Sequence, residues 1–114
     1  GVSRKEATAF QRLMLSSREG YTEMPEEYIA DQMVYPENLL AKNISGYALC
    51  EFTIDKEGVI LRPHILKATH SEFAEEALRI VKGMPKWSPA LAGGKPTDSN
   101  YTLYIPFRPK LYKP

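Results

Sequence analysis

Two hydrophobic periods succeed one another along the chain. Ala48, Cys50, Phe52 and Ile54 alternate with Tyr47, Leu49, Glu51 and Thr53, a period of two that predicts a strand with one apolar face. Asp55-Lys56-Glu57-Gly58 follows as a tight turn, in which an aspartate bonds its own backbone and a glycine supplies positive φ. Val59 to Lys67 then predicts a second strand, returning as a hairpin. Pro63 has no N–H to give to a ladder, so this strand belongs at a sheet edge or carries a bulge. The period next becomes helical: Phe73, Ala77, Ile80, Val81 and Met84 share a face, Thr69 and Glu72 form a capping-box pattern, and Gly83 with Pro85 ends the run. Beyond a loop with Trp87, Pro89 and Gly93-Gly94-Lys95-Pro96, Tyr101 to Phe107 predicts a third strand.

Upstream, Ala7, Phe10, Leu13, Met14 and Ser17 recur at helical spacing, predicting a short amphipathic helix from Arg4 to Ser17 that ends before Gly20. A second helix is predicted after Pro25, with Glu26 and Glu27 in its first turn and Tyr28, Ile29 and Met33 as apolar positions. It stops at Val34 and Tyr35, because the residue before Pro36 is driven out of the helical region. Pro36 to Ala41 predicts one more helical turn, closed by Asn43.

Strand, strand, helix, strand predicts an α+β fold in two layers: a three-stranded antiparallel sheet (β-β-α-β) with one main helix packed on it and short N-terminal helices. A right-handed crossover through the helix puts the first strand in the middle, giving the order 2-1-3. Pro63 then lies on one edge, and the third strand forms the other, with unpaired main-chain groups. Pro106 lacks an N–H, so the even-numbered residues Thr102 and Tyr104 are expected to turn their backbones to that open edge. The core between the layers is expected from Phe52, Ile54, Phe73, Ala77, Ile80, Val81 and Trp87.

At 114 residues, the chain has the size of one domain. Hydrophobic residues make up 43% and charged residues 25%, close to ordinary globular values, which argues against wholesale disorder. Six of the nine prolines fall from Pro85 onward, marking the last third as loop-rich. No apolar run approaches the roughly 18 residues of a membrane-spanning helix. A net charge of +1 leaves no overall electrostatic footprint for nucleic acid. No acid follows Asp98, so Arg108, Lys110 and Lys113 make residues 109–114 part of a small basic tail.

Candidate chemistry is sparse. Cys50 and His64 lie on paired strands, where a nucleophile and base could meet. With Ile54 opposite Val59, however, Cys50 faces Pro63 and His64 faces Leu49, on opposite sides of the sheet unless a bulge at Pro63 reverses them. No third orienting residue or oxyanion-hole pattern accompanies them, so Cys50 is expected as a small buried hydrophobe. One cysteine also excludes an intramolecular disulfide. His64 and His70 lack partners at ligand spacing, so neither a metal nor any other cofactor is expected. Gly93-Gly94-Lys95 lacks the context of a phosphate loop and predicts a turn. Trp87 is assigned to the core, and the chain is expected to be no enzyme. Tyr101, Tyr104 and Phe107 instead give an edge strand an aromatic character suited to strand addition, in which the main chain supplies affinity and alternate side chains supply selectivity.

An ordered set of residues carries a family resemblance: Tyr35-Pro36, Ile44 to Gly46, Phe52-Thr53-Ile54-Asp55 with Gly58, Glu76-Ala77-Leu78-Arg79, Met84-Pro85-Lys86-Trp87 with Pro89, Gly94-Lys95-Pro96 and the tyrosine-rich last strand. Together they resemble the C-terminal domain of TonB-family proteins. The resemblance divides the chain into residues 1–27, a helical extension or linker, residues 28–108, the TonB-like domain, and the tail at 109–114. It implies a periplasmic domain of a Gram-negative cell whose parent protein is anchored in the inner membrane. It further implies that the domain grips a short peptide segment of an outer-membrane transporter and, through the parent and the ExbB-ExbD complex, transmits the energy of the proton gradient. Partner contacts are expected at Gln32, Tyr35, Pro36, Tyr101, Thr102 and Tyr104. Pairing of the edge strand with its own copy, giving a homodimer, would compete. The alternative is a sensory or scaffolding domain of the same fold in a membrane-bound regulatory protein, such as a membrane metallopeptidase receptor.

Overall fold

A computed structural model describes Ser17–Arg18, Tyr21–Glu23, Tyr28 and residues 31–111 of the chain. Strand β1 is Ser17–Arg18 and β2 is Tyr21–Glu23. Then come α1 (Glu37–Ala41), β3 (Gly46–Ile54), β4 (Ile60–Ala68) and α2 (Ser71–Lys82). They are followed by β5 (Ala90–Ala92), β6 (Lys95–Thr97), β7 (Ser99–Phe107) and a 3₁₀ turn at Pro109–Leu111.

The expected antiparallel core is present, with β3 central, β4 on one side and β7 on the other. Alternation along β3 does what its pattern predicts: Ala48, Cys50, Phe52 and Ile54 are buried under α2. Directly opposite on β7, Leu103, Ile105 and Phe107 bury the same face. Helix α2 contributes Phe73, Ala77, Ile80 and Val81, and Trp87 closes the far end at 2% exposure. The Phe73 and Phe107 rings stack at 4.2 Å, and the Tyr35 ring meets both edge to face. All seven expected core residues are buried.

Pro63 acts on β4 as a residue without an N–H must. It lies on an edge strand and at a register shift, where Glu51 pairs with His64 but Thr53 pairs with Leu61. Arg62 there adopts φ of 52°, so one residue of β3 faces two of β4. Because Ile54 pairs with Ile60 rather than Val59 and the bulge adds one residue, Cys50 lies opposite Ile65 rather than Pro63, which corrects the expected pairing; a second shift, between Leu49 and Cys50, sets Leu49 opposite Lys67. Cys50 nevertheless points into the core and His64 out of it, so the two stay on opposite faces.

Three further expectations change. The capping box at Thr69 does not form: His70 is the N-cap, and the Thr69 hydroxyl accepts from the Tyr47 N–H at 3.0 Å, tying the start of β3 to the end of β4. The loop after Trp87 contains a hairpin, β5 with β6, turning at Gly93 and Gly94. Both glycines have positive φ, 60° and 80°, as a two-residue turn of that hand requires. The third change concerns the sheet edge. Strand β2 runs parallel to β7, with Thr22 against Leu103 and Glu23 against Tyr104, and β1 pairs with β2 in turn. The extension expected as helix or linker thus supplies two short strands, and the edge of β7 is partly occupied rather than open. The helix expected over Arg4 to Ser17 otherwise lies outside the described residues. Tyr28, Asp31 and Gln32 are helical, as expected after Pro25.

Candidate functional site

Which way β7 aims its main chain follows from one neighbouring residue. Both the N–H and the C=O of Tyr47 engage Thr69, on the β4 side of β3. Tyr47 therefore turns its polar groups away from β7, and its partner Pro106 has no ladder bond to supply. The register between β3 and β7 continues without a break, so the alternation holds along the strand. Tyr101, Leu103, Ile105 and Phe107 bond to β3, and Asn100, Thr102 and Tyr104 present their main-chain groups to the outer edge.

Side chains divide β7 by the opposite rule, into helix face and outer face. Tyr101 is on the helix side, stacked on Phe52 at 6.3 Å and tilted against Trp87 at 5.0 Å. Thr102 and Tyr104 are on the outer side and half-buried. There the Tyr104 ring stacks on Tyr47 at 5.3 Å, and the Lys67 ammonium sits 5.9 Å from the centre of the Tyr47 ring, within cation–π range. That face also carries buried Leu49 opposite Tyr104, and polar pairs beyond it: His64 Nε2 lies 3.0 Å from Glu51 Oε1, and the Thr53 hydroxyl donates to Asn100 at 2.7 Å. A strand added beyond β7 would set alternate side chains beside Thr102 and the Tyr104–Tyr47 pair.

The residues expected at a partner contact do not gather into one patch. Tyr35 is an interior residue, 3% exposed, whose hydroxyl donates to the Ile44 carbonyl. Burial raises its pKa, and its ring belongs to the Phe73 and Phe107 cluster. Pro36 starts α1, its carbonyl accepting from the Leu39 and Leu40 N–H groups. Gln32 is exposed, but its carbonyl is already held by Arg79 at 2.7 Å. Thr102 and Tyr104 are the pair that the fold brings to the edge with both main chain and side chain presented.

The sequence reading missed the device that holds the Gln32 to Tyr35 segment. Glu76 is 8% exposed, and its carboxylate takes two bonds from the Arg79 guanidinium, at 2.6 and 2.7 Å, and one from the Val34 N–H at 2.6 Å. Arg79, whose pKa Glu76 raises, spends a further donor on the Gln32 carbonyl. The segment before α1 is thereby fastened to α2 at two points. The i, i+3 spacing of Glu76 and Arg79 was the available signal.

Residues 31–109 match the family model described as the C-terminal of the Gram-negative bacterial TonB protein. The chain belongs to the family of TonB C-terminal domains. Among solved structures, the TonB2 protein of Vibrio anguillarum is 27% identical, over 67% of this chain and 73% of that one, with a TM-score of 0.52. The solution structure of the Helicobacter pylori TonB C-terminal domain shares the fold at 20% identity, over 75% of this chain and 89% of that one, with a TM-score of 0.59. No curated protein matches at a significant level. In this TonB domain the matched segment begins at Asp31, so it takes in the segment tied down by Glu76 and Arg79. Strands β1 and β2 lie outside it.

The thiol and the His64 imidazole of the TonB domain are accounted for by packing or pairing, whereas the buried His70 Nδ1 has no hydrogen-bond partner among the described residues. Burial pushes the Cys50 thiol up to about 11, the opposite of what a nucleophilic thiolate needs. His64 pairs with Glu51, and His70 lies edge to face on Phe73.

Proposed function

We propose that this TonB C-terminal domain is a non-enzymatic peptide-binding module of the periplasm, which takes an extended segment of an outer-membrane transporter as an added strand along β7. In this reading the parent protein is anchored in the inner membrane and works with the ExbB-ExbD complex. The grip on the transporter then passes on energy drawn from the proton gradient. The observation that carries the proposal is the orientation of β7: a nine-residue strand at the margin of the antiparallel core, with the main chains of Thr102 and Tyr104 turned outward. Strand addition obtains its affinity from such groups and is indifferent to most of the incoming sequence. Tyr104, stacked on Tyr47, supplies an aromatic surface for one alternate side chain of the guest. The burial of Tyr35 and the packing of half-buried Tyr101 on Phe52 and Trp87 give both rings a structural duty, and Gln32 and Pro36 act at most as neighbours of the incoming strand.

The test is an amide-shift NMR titration of the full chain with synthetic peptides drawn from outer-membrane transporters. Binding peptides are expected to move the amides of Thr102 to Ile105 most. A peptide that binds and instead perturbs β4 or the turn at Asp55 to Gly58 contradicts the edge assignment.

A further inference from the structure

The edge that the proposed function assigns to a guest already has an occupant. Strand β2 lies parallel to β7 in a register that covers Leu103 and Tyr104, and its own outer side is paired with β1, so the two strands form a ribbon laid along the sheet. We infer that strands β1 and β2, Ser17–Arg18 and Tyr21–Glu23, are a resident competitor for the β7 edge, displaced when a peptide docks there. The inference rests on the peptide-binding reading for the identity of the guest, but not for the covering of the edge.

Three features make the ribbon displaceable. Among the described residues it engages β7 through two residue pairs of a nine-residue strand. It is parallel, and parallel pairing is slightly weaker per residue than the antiparallel pairing open to a guest. Among the described residues it also leaves 99–101 outside its register, with the main chain of Asn100 turned to the same edge. A guest can therefore pair first beside Asn100 and advance toward Tyr104, replacing β2 one pair at a time. Release leaves β1 and β2 with each other as partners. The ribbon has a second effect: an edge that is covered at rest is protected from pairing with a second copy of the chain. This is a restraint on the homodimer that an open β7 would invite.

The experiment uses the full chain and its Thr22→Pro variant, which removes an N–H from the middle of β2. Hydrogen exchange is read at the Tyr104 amide, which points to the ribbon, and at Leu103 and Ile105, which are bonded to β3. Exchange at Tyr104 is expected to speed about tenfold, as for an edge that is open in roughly a tenth of wild-type molecules, with Leu103 and Ile105 unchanged. Thr22→Gly, which keeps the N–H and loosens the strand, is expected to move Tyr104 in the same direction by a smaller factor. Unchanged exchange at Tyr104 in both variants overturns the inference. The transporter-derived peptides are then titrated into both proteins. About tenfold tighter binding by Thr22→Pro supports displacement, and equal affinity with shifts at Tyr104 in both proteins overturns it. Faster exchange at Tyr104 with no peptide bound by either protein supports the covering strand and defeats the peptide-binding reading instead.

Discussion

Gly58 joins the hairpin turn to the closing tryptophan of the core, and replacing it by alanine tests that junction. Its φ is +85°, a conformation that costs an L-residue about 1 to 2 kcal/mol. A Cβ added there would lie 2.0 Å from the Trp87 carbonyl oxygen, so the two backbones must part by about 1.5 Å to reach ordinary contact. Neither side yields freely. The turn is fixed by Asp55, which accepts from the Glu57 and Val59 N–H groups at 2.8 and 2.9 Å, and the Gly58 carbonyl accepts from the Trp87 N–H at 2.9 Å. Trp87 is wedged against Phe52 at 5.5 Å and against Tyr101. Moving it breaks that bond and opens the end of the core, a loss approaching the few kcal/mol of a large core truncation. Gly58→Ala is expected to cost about 3 to 5 kcal/mol in all. Gly94→Ala is the control: its φ of +80° is just as unfavourable, but no atom lies within 4 Å of the added Cβ, so the cost is about 1 to 2 kcal/mol. Urea unfolding followed by the fluorescence of Trp87, the sole tryptophan, gives both values. Losses within about 1 kcal/mol of each other would refute the reasoning, because the clash with Trp87 would then contribute nothing.

Tyr35→Phe is expected to lower stability by about 1 to 2 kcal/mol, through the lost bond to Ile44, and to leave peptide affinity unchanged; a changed affinity in the titration, with stability intact, would return Tyr35 to the binding surface. Cys50 is expected to resist thiol-labelling reagents in the folded protein at neutral pH, and rapid modification would reopen the case for chemistry at this residue. The same thiol makes the domain weaker in alkali. Its pKa is raised on folding, so the unfolded chain releases the proton first, and stability falls from about pH 9 until the folded thiol ionises at about 11, by at most about 1.4 kcal/mol per pH unit. Urea midpoints that stay flat across that range in wild type, or that fall equally in Cys50→Ala, would contradict this. Glu76→Ala leaves the Val34 N–H and the Arg79 guanidinium without their acceptor. It is expected to cost about 1 to 3 kcal/mol and to free the Gln32 to Tyr35 segment, seen as faster exchange at the Val34 amide.

The elements legible in the sequence were those with a long, unbroken period. From Cys50 to Ile54 burial in β3 alternates because one face meets α2, although Leu49 is buried on the other face, and α2 carries its apolar stripe over three turns. Pro63 and Pro106 were informative through a missing N–H, which is a local property. What stayed hidden depends on pairing at a distance. The register of β4 shifts twice; Pro63 signalled the first shift, but no residue type announces the second, beside Lys67. Strand β2 is three residues long, too few for any period to show. The hairpin of β5 and β6 is equally short, although Gly93-Gly94 marked its turn. The tyrosines misled for a different reason: a ring with a polar tip suits an edge or a core, and only the fold decides. Tyr104 and Tyr101 are three positions apart on one strand, and so on opposite faces of the sheet.

The central claim, that an extended transporter peptide adds as a strand along β7, is tested most directly by cysteine cross-linking in the full chain. Thr102→Cys places a thiol on the outer face of β7, while the buried native Cys50 stays inert. Synthetic transporter peptides carrying one cysteine, moved residue by residue, are mixed with this variant and with Leu66→Cys, on the opposite edge strand β4, under mild oxidation. The account predicts disulfides to position 102 that rise and fall with a period of two along the peptide, and little reaction at position 66. Cross-linking without that period, or equal reaction at position 66, would contradict strand addition at β7.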